Sequence, residues 1–127
     1  MLEGWKAGQA VRAELPVHPV CAIFPDMDPQ DYQALVADIR TCGLREPIVL
    51  FEGQILDGRH RYRACRELGI TPRFQDYDGD GSAQGLLFFV LSKNLHRRHL
   101  TPSQKGTVGA KATAFLELAR QAAKERQ

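Results

Sequence analysis

The strongest concentration of chemistry in the chain is Leu56-Asp57-Gly58-Arg59-His60-Arg61-Tyr62-Arg63-Ala64. A strand pattern ends at Leu56, Asp57-Gly58 breaks it, and a helical pattern starts at Arg59. A helix N-terminus offers backbone N–H groups and a partial positive charge. Arginines in the first turn add planar forks that can each hold two phosphate oxygens. The glycine lets a ligand or another backbone approach closely. Successive helical residues are turned by about 100°, so arginines at alternate positions 59, 61 and 63 cannot share one face. One of them must be solvated or bound to the protein itself. A solvated basic helix face has the same composition, so at this point both readings stand.

A second basic segment, Ser92-Lys93-Asn94-Leu95-His96-Arg97-Arg98-His99-Leu100, joins two helical patterns. Its cations and amide could close over the same anion, or it is a solvated connector. Asp76-Tyr77-Asp78-Gly79-Asp80-Gly81 imitates the start of a calcium loop, but the twelfth position, which needs a bidentate Glu, is Leu87. An acidic turn is the better reading. His60, His96 and His99 have cationic neighbours and no carboxylate or cysteine to complete a set, so no metal site is expected. No Ser/His/Asp or Cys/His arrangement stands out, and Cys21, Cys42 and Cys65 lie in apolar or helical patterns.

These segments need elements to hold them. Glu14–Phe24 reads as a strand interrupted by Pro16 and Pro19. Tyr32, Leu35, Val36 and Ile39 form one apolar stripe of a helix that Asp28 and Pro29 begin and Gly43 ends. Ile48–Phe51 and Gln54–Leu56, joined by Glu52-Gly53, read as a β-hairpin. A helix follows from Arg59 to Leu68, closed by Gly69, then a strand over Pro72–Tyr77 and a helix from Ser82 to about Ser92. Thr101-Pro102-Ser103-Gln104 has the capping-box pattern and opens a long alanine-rich helix. Strands and helices mix without regular alternation, so the expected class is α+β. Residues 1–13 read as an N-terminal arm, 14–100 as the domain and 101–127 as its C-terminal helix.

The chain has 127 residues, with 43% hydrophobic and 25% charged residues, an ordinary balance for one soluble domain. That excludes a wholly disordered, collagen-like or membrane-spanning chain; its longest apolar run, Leu86–Leu91, is far too short to cross a bilayer. No apolar signal-peptide core and three scattered cysteines point to the reducing cytoplasm. The net charge of +2 conceals an imbalance: residues 1–56 carry four Lys/Arg against eight Asp/Glu, and residues 57–127 carry thirteen against seven. The cationic half suits anionic partners: phosphates, nucleotides or nucleic acid.

Four stretches, in order, resemble the N-terminal domain of the ParB family, within the ParB/sulfiredoxin-like fold, over residues 14–106. Thr41-Cys42-Gly43-Leu44-Arg45-Glu46-Pro47-Ile48 resembles the family's helix end and G-x-x-Q-P turn, with Glu46 in place of the Gln. Asp57–Ala64 resembles the G-E-R-R-x-R-A box, with Arg59 in place of its Glu and His60 in place of its first Arg. Lys93-Asn94-Leu95-His96-Arg97 resembles the E-N-x-x-R box, and Leu100-Thr101-Pro102-Ser103 the start of the next helix.

The resemblance implies a small mixed sheet with packed helices and a long C-terminal helix. It implies a nucleotide-binding regulatory domain, for CTP or ATP, of a DNA-binding or partition-type protein from a plasmid, phage or mobile element. Carried over, Gly58, Arg59, His60 and Arg61 cradle phosphates, Asn94 and Arg97 close the site, and Glu46, Lys93 and Arg98 are further candidate contacts. The implied partners are a nucleoside triphosphate, with or without Mg2+, DNA reached through a region beyond this chain, and a second copy in a nucleotide-dependent homodimer; no membrane is implied. Lys93 stands where the family has the carboxylate that holds magnesium, so weaker dependence on the metal is expected. The order Gly58-Arg59-His60-Arg61 lacks the sulfiredoxin nucleophile, so that activity is not expected. An enzyme on the same fold, a nuclease, NTPase or small-molecule kinase, is the alternative.

Overall fold

The computed structural model describes residues 14–95 and 100–126. The N-terminal arm expected over residues 1–13 lies outside them. The chain forms two compact units.

The first unit contains residues 14–18 and 26–77. Helix α1, Pro29–Cys42, starts where the sequence pattern places it: the Asp28 carboxylate accepts from the Gln30 N–H at 2.8 Å, and Pro29, which lacks an N–H, occupies the first turn. It ends at Gly43. Strands β1, Ile48–Phe51, and β2, Gln54–Asp57, form the expected antiparallel hairpin. Both turn residues, Glu52 and Gly53, have positive φ, the twist that matches the hairpin's strands. Helix α2, Arg59–Leu68, leads to β3, Phe74–Asp76, which pairs parallel to β1 and completes a sheet of order β2-β1-β3. A hairpin plus one parallel crossover makes the fold α+β, as expected.

The core of this unit is the apolar stripe of α1 (Tyr32, Val36, Ile39) against Ile48, Leu50 and Ile55 of the hairpin and Tyr62, Ala64 and Cys65 of α2. Burial pushes the Cys65 thiol up, as suits an inert core residue. The Leu15 N–H donates to the Tyr62 hydroxyl at 3.1 Å, which ties the start of the described chain to α2.

One expectation is corrected. Glu14–Phe24 is not a strand: its sheet-like pairing is a single parallel bridge of Val17 with Ile55, and Pro19–Ile23 is a 3-10 helix. Pro16 and Pro19 have no N–H to donate, so a continuous ladder cannot form. The backbone partners that the bridge does make are His18 N–H to the Ile55 carbonyl and Ile55 N–H to the Pro16 carbonyl.

The second unit contains residues 19–25, 78–95 and 100–126. Helix α3, Ala83–Leu95, and helix α4, Pro102–Glu125, pack on each other and on the 3-10 helix. Leu86, Leu87, Val90 and Val108 are buried. The acidic turn before α3 is used locally. Asp80 accepts from the Ser82 N–H and hydroxyl, each at 2.9 Å, and the Ser82 hydroxyl accepts from the Gly85 N–H at 3.1 Å. No helix among the described residues is long and apolar enough to cross a membrane.

Candidate functional site

The N-terminal turn of α2 is built differently from a helix start optimised for stability. Gly58 occupies the cap position at φ 99° and ψ 25°, no side chain caps the helix, and the first turn holds no acidic residue. The first helical hydrogen bond runs from the Tyr62 N–H to the Gly58 carbonyl at 2.8 Å. The N–H groups of residues 59–61 therefore lie outside the helix's own ladder. The helix end carries a partial positive charge, and Arg59 and Arg61 at this turn stand against the Asp26 and Asp57 carboxylates.

Gly58 is demanded twice. Its φ lies where L side chains are strained, and a Cβ there would stand 2.8 Å from Arg61 Nη2 and 3.3 Å from Ile48 Cγ1. The cap is thus pressed between a buried strand residue and a guanidinium.

Each of the alternating arginines has partners within the protein, and Arg61 has the most buried ones. Its Nη2 donates to the Pro47 carbonyl at 3.0 Å and to Asp57 Oδ2 at 3.3 Å, with the Arg61 and Asp57 side chains only 13% and 5% exposed. The pair locks the end of β2 to the first turn of α2 and to the turn entering β1. Arg63 lies 4.2 Å from the centre of the Tyr32 ring and 3.8 Å from Glu67, so it braces α2 against α1. Arg59 is partly exposed, with Nη2 3.7 Å from Oδ1 of the exposed Asp26. His60 is buried, and its Nε2 accepts from the Met27 N–H at 3.1 Å. That bond fixes the neutral ring with its proton on Nδ1. The turn is therefore a frame of Gly58, His60, Arg61 and Asp57, with the Arg59 guanidinium, 19% exposed, beside Asp26.

Glu46 is exposed and precedes Pro47, whose carbonyl Arg61 holds. Lys93 and Asn94 belong to the second unit, in the last turn of α3. The Asn94 amide donates to the Val90 carbonyl at 2.8 Å, and Lys93 Nζ stands 5.7 Å from the Phe89 ring centre. Arg97 and Arg98, with His96 and His99, lie outside the described residues. Among the described residues no group of three or more His, Cys, Asp and Glu is placed to hold a metal ion.

Asp57, Asp26 and Met27 are parts of this turn that sequence reasoning did not single out. The i,i+4 spacing of Asp57 and Arg61 was a usable signal for an ion pair. Nothing in the spacing of Asp26 and Met27 from His60 announces their contact.

No family model matches the chain, and no curated protein matches it. Among solved structures, it is similar to the C-terminally truncated chromosome-partitioning protein ParB from Caulobacter crescentus, crystallised with CTP-gamma-S. The identity is 24%, the TM-score 0.49, and the match covers 60% of this chain and 46% of that chain. The chain thus spans less than half of that structure's length.

Proposed function

We propose that the N-terminal turn of α2 binds the phosphates of a nucleoside triphosphate, CTP or ATP, and that the protein is a ParB-like nucleotide-binding regulatory domain of a DNA-binding or partition-type protein. The observation that supports this is the helix start itself. Gly58 holds positive φ, the cap has no side-chain acceptor, the first turn has no carboxylate, and two arginines flank a neutral histidine. A phosphate there would receive backbone N–H bonds and a charge-assisted fork from Arg59. In this reading Arg61, His60 and Gly58 shape the cradle, and Arg59 makes the direct side-chain contact. Asn94 and Arg97 are the second segment that the ParB resemblance assigns to nucleotide, and Glu46, Lys93 and Arg98 are further contacts. Lys93 supplies a fixed positive charge where the family pattern has a carboxylate.

Isothermal titration with CTP and ATP, each with Mg2+ and with EDTA, tests the proposal. Loss of one charge-assisted contact costs about 1.5–3 kcal/mol. Arg59→Ala should therefore weaken binding roughly ten- to a hundredfold. Wild-type affinity in Arg59→Ala, or no binding of either nucleotide to the native protein, would overturn it.

A further inference from the structure

His60 stands between two partners for one nitrogen. Its Nε2 accepts from the Met27 N–H at 3.1 Å, and the same nitrogen is 3.8 Å from Asp26 Oδ1. The first contact requires Nε2 without a proton; the second becomes a hydrogen-bonded ion pair only when Nε2 carries one. Both partners sit in the short segment that enters α1, just before the Asp28 cap. We infer that His60 is a proton-operated latch: neutral, it holds the Met27 amide; protonated, it releases that amide and takes the Asp26 carboxylate. The inference rests on this geometry and not on any ligand.

The exchange needs little movement. The Asp26 side chain is 85% exposed, so a rotation can bring its carboxylate to Nε2, while the His60 side chain, 10% exposed, stays in place. A protonated ring cannot accept from Met27, and two N–H groups then face each other, which forces the segment away. The charged groups described around this segment have partners of their own. Arg59, on the same helix, shares Asp26 at 3.7 Å. Arg61 is occupied by Asp57 and the Pro47 carbonyl, and Arg63 by Glu67 and the Tyr32 ring of α1. Strand β1, which also packs on α2, brings Ile48-Val49-Leu50-Phe51 and no titratable group.

The latch is read by NMR on the full chain, following the His60 ring and the Met27 amide from pH 8 to pH 5. The expected result is one shared midpoint for the two signals, with loss of exchange protection at the Met27 amide below it. Asp26→Asn, an exposed substitution, should move that midpoint down by a few tenths of a unit to about one unit. Three outcomes would overturn the inference: a His60 ring that stays neutral to about pH 5, a Met27 amide that does not follow the ring, or a midpoint that Asp26→Asn leaves in place.

Discussion

The starts of α2 and α4 solve the same problem in opposite ways. At α4 the Thr101 hydroxyl accepts from the Gln104 N–H at 3.1 Å, the Gln104 side chain accepts from the Thr101 N–H at 2.9 Å, and Pro102 fills the first turn. The orphan groups of that helix end are consumed by its own side chains. At α2 the cap is a glycine at positive φ with no side-chain cap, and the first helical residue is Arg59. At this φ a serine or aspartate cap would be strained, so the end goes without a side-chain cap, and Arg59 adds positive charge where the helix end is already positive. The neighbouring Asp57–Arg61 pair offsets part of this by bolting the turn to the sheet. The contrast separates a helix start closed by its own side chains from one that no side chain caps.

Removing the bolt should have the largest effect. Arg61→Ala leaves the Asp57 carboxylate buried without its guanidinium, a change that typically costs about 3–5 kcal/mol. Chemical denaturation should show it, and a cycle with Asp57→Ala should give a double-variant cost well below the sum of the two singles. Additive losses would mean the pair does not act as a unit. Such a variant would lose phosphate binding through the frame, whereas Arg59→Ala would lose it with the frame intact.

Gly58→Ala comes next. It combines left-handed strain with a Cβ driven against Arg61 Nη2 and Ile48, together roughly 2–4 kcal/mol. Thermal unfolding of this variant beside Gly106→Ala, where a Cβ would meet nothing within 4 Å, isolates the effect. A pair of equal midpoints would remove the argument for a constrained cap.

Thr101→Ala sharpens the comparison from the other side. Loss of that cap should cost about 1 kcal/mol. Phosphate affinity should not change, because the capped start presents no site. A fall in affinity equal to that of Arg59→Ala would erase the distinction between the two helix ends.

The smallest expected effect concerns α3. The Ser82 backbone N–H, then its hydroxyl, holds the Asp80 carboxyl below the usual carboxylate range. A carboxylate whose folded value is depressed stabilises the fold above its unfolded value, near 3.9, and that contribution is lost as pH falls through the folded value. Asp80→Asn should therefore lower the unfolding midpoint slightly at pH 7 and not at all near pH 2. An equal difference at both pH values would show that the carboxylate charge is irrelevant.

What the sequence by itself determined is local. Asp28-Pro29 and Thr101-Pro102-Ser103-Gln104 carry their capping chemistry within a few residues, so the starts of α1 and α4 could be read directly. The hairpin around Glu52-Gly53 and the helix Arg59–Leu68 were legible for the same reason: period, breaker and cap are short-range properties. The break at Gly58 and the cationic turn after it were visible as a candidate anion site. Tertiary structure decided what each cation does there. Arg59, Arg61 and Arg63 are identical in type and evenly spaced. Only the packing of α2 on β1 and α1 turned Arg61 toward Pro47 and Asp57, stacked Arg63 on Tyr32, and set Arg59 beside Asp26. It likewise buried His60 against the Met27 amide, 33 residues away in the chain. Side-chain partners across such distances depend on which helix face meets which strand, and no residue spacing encodes that contact.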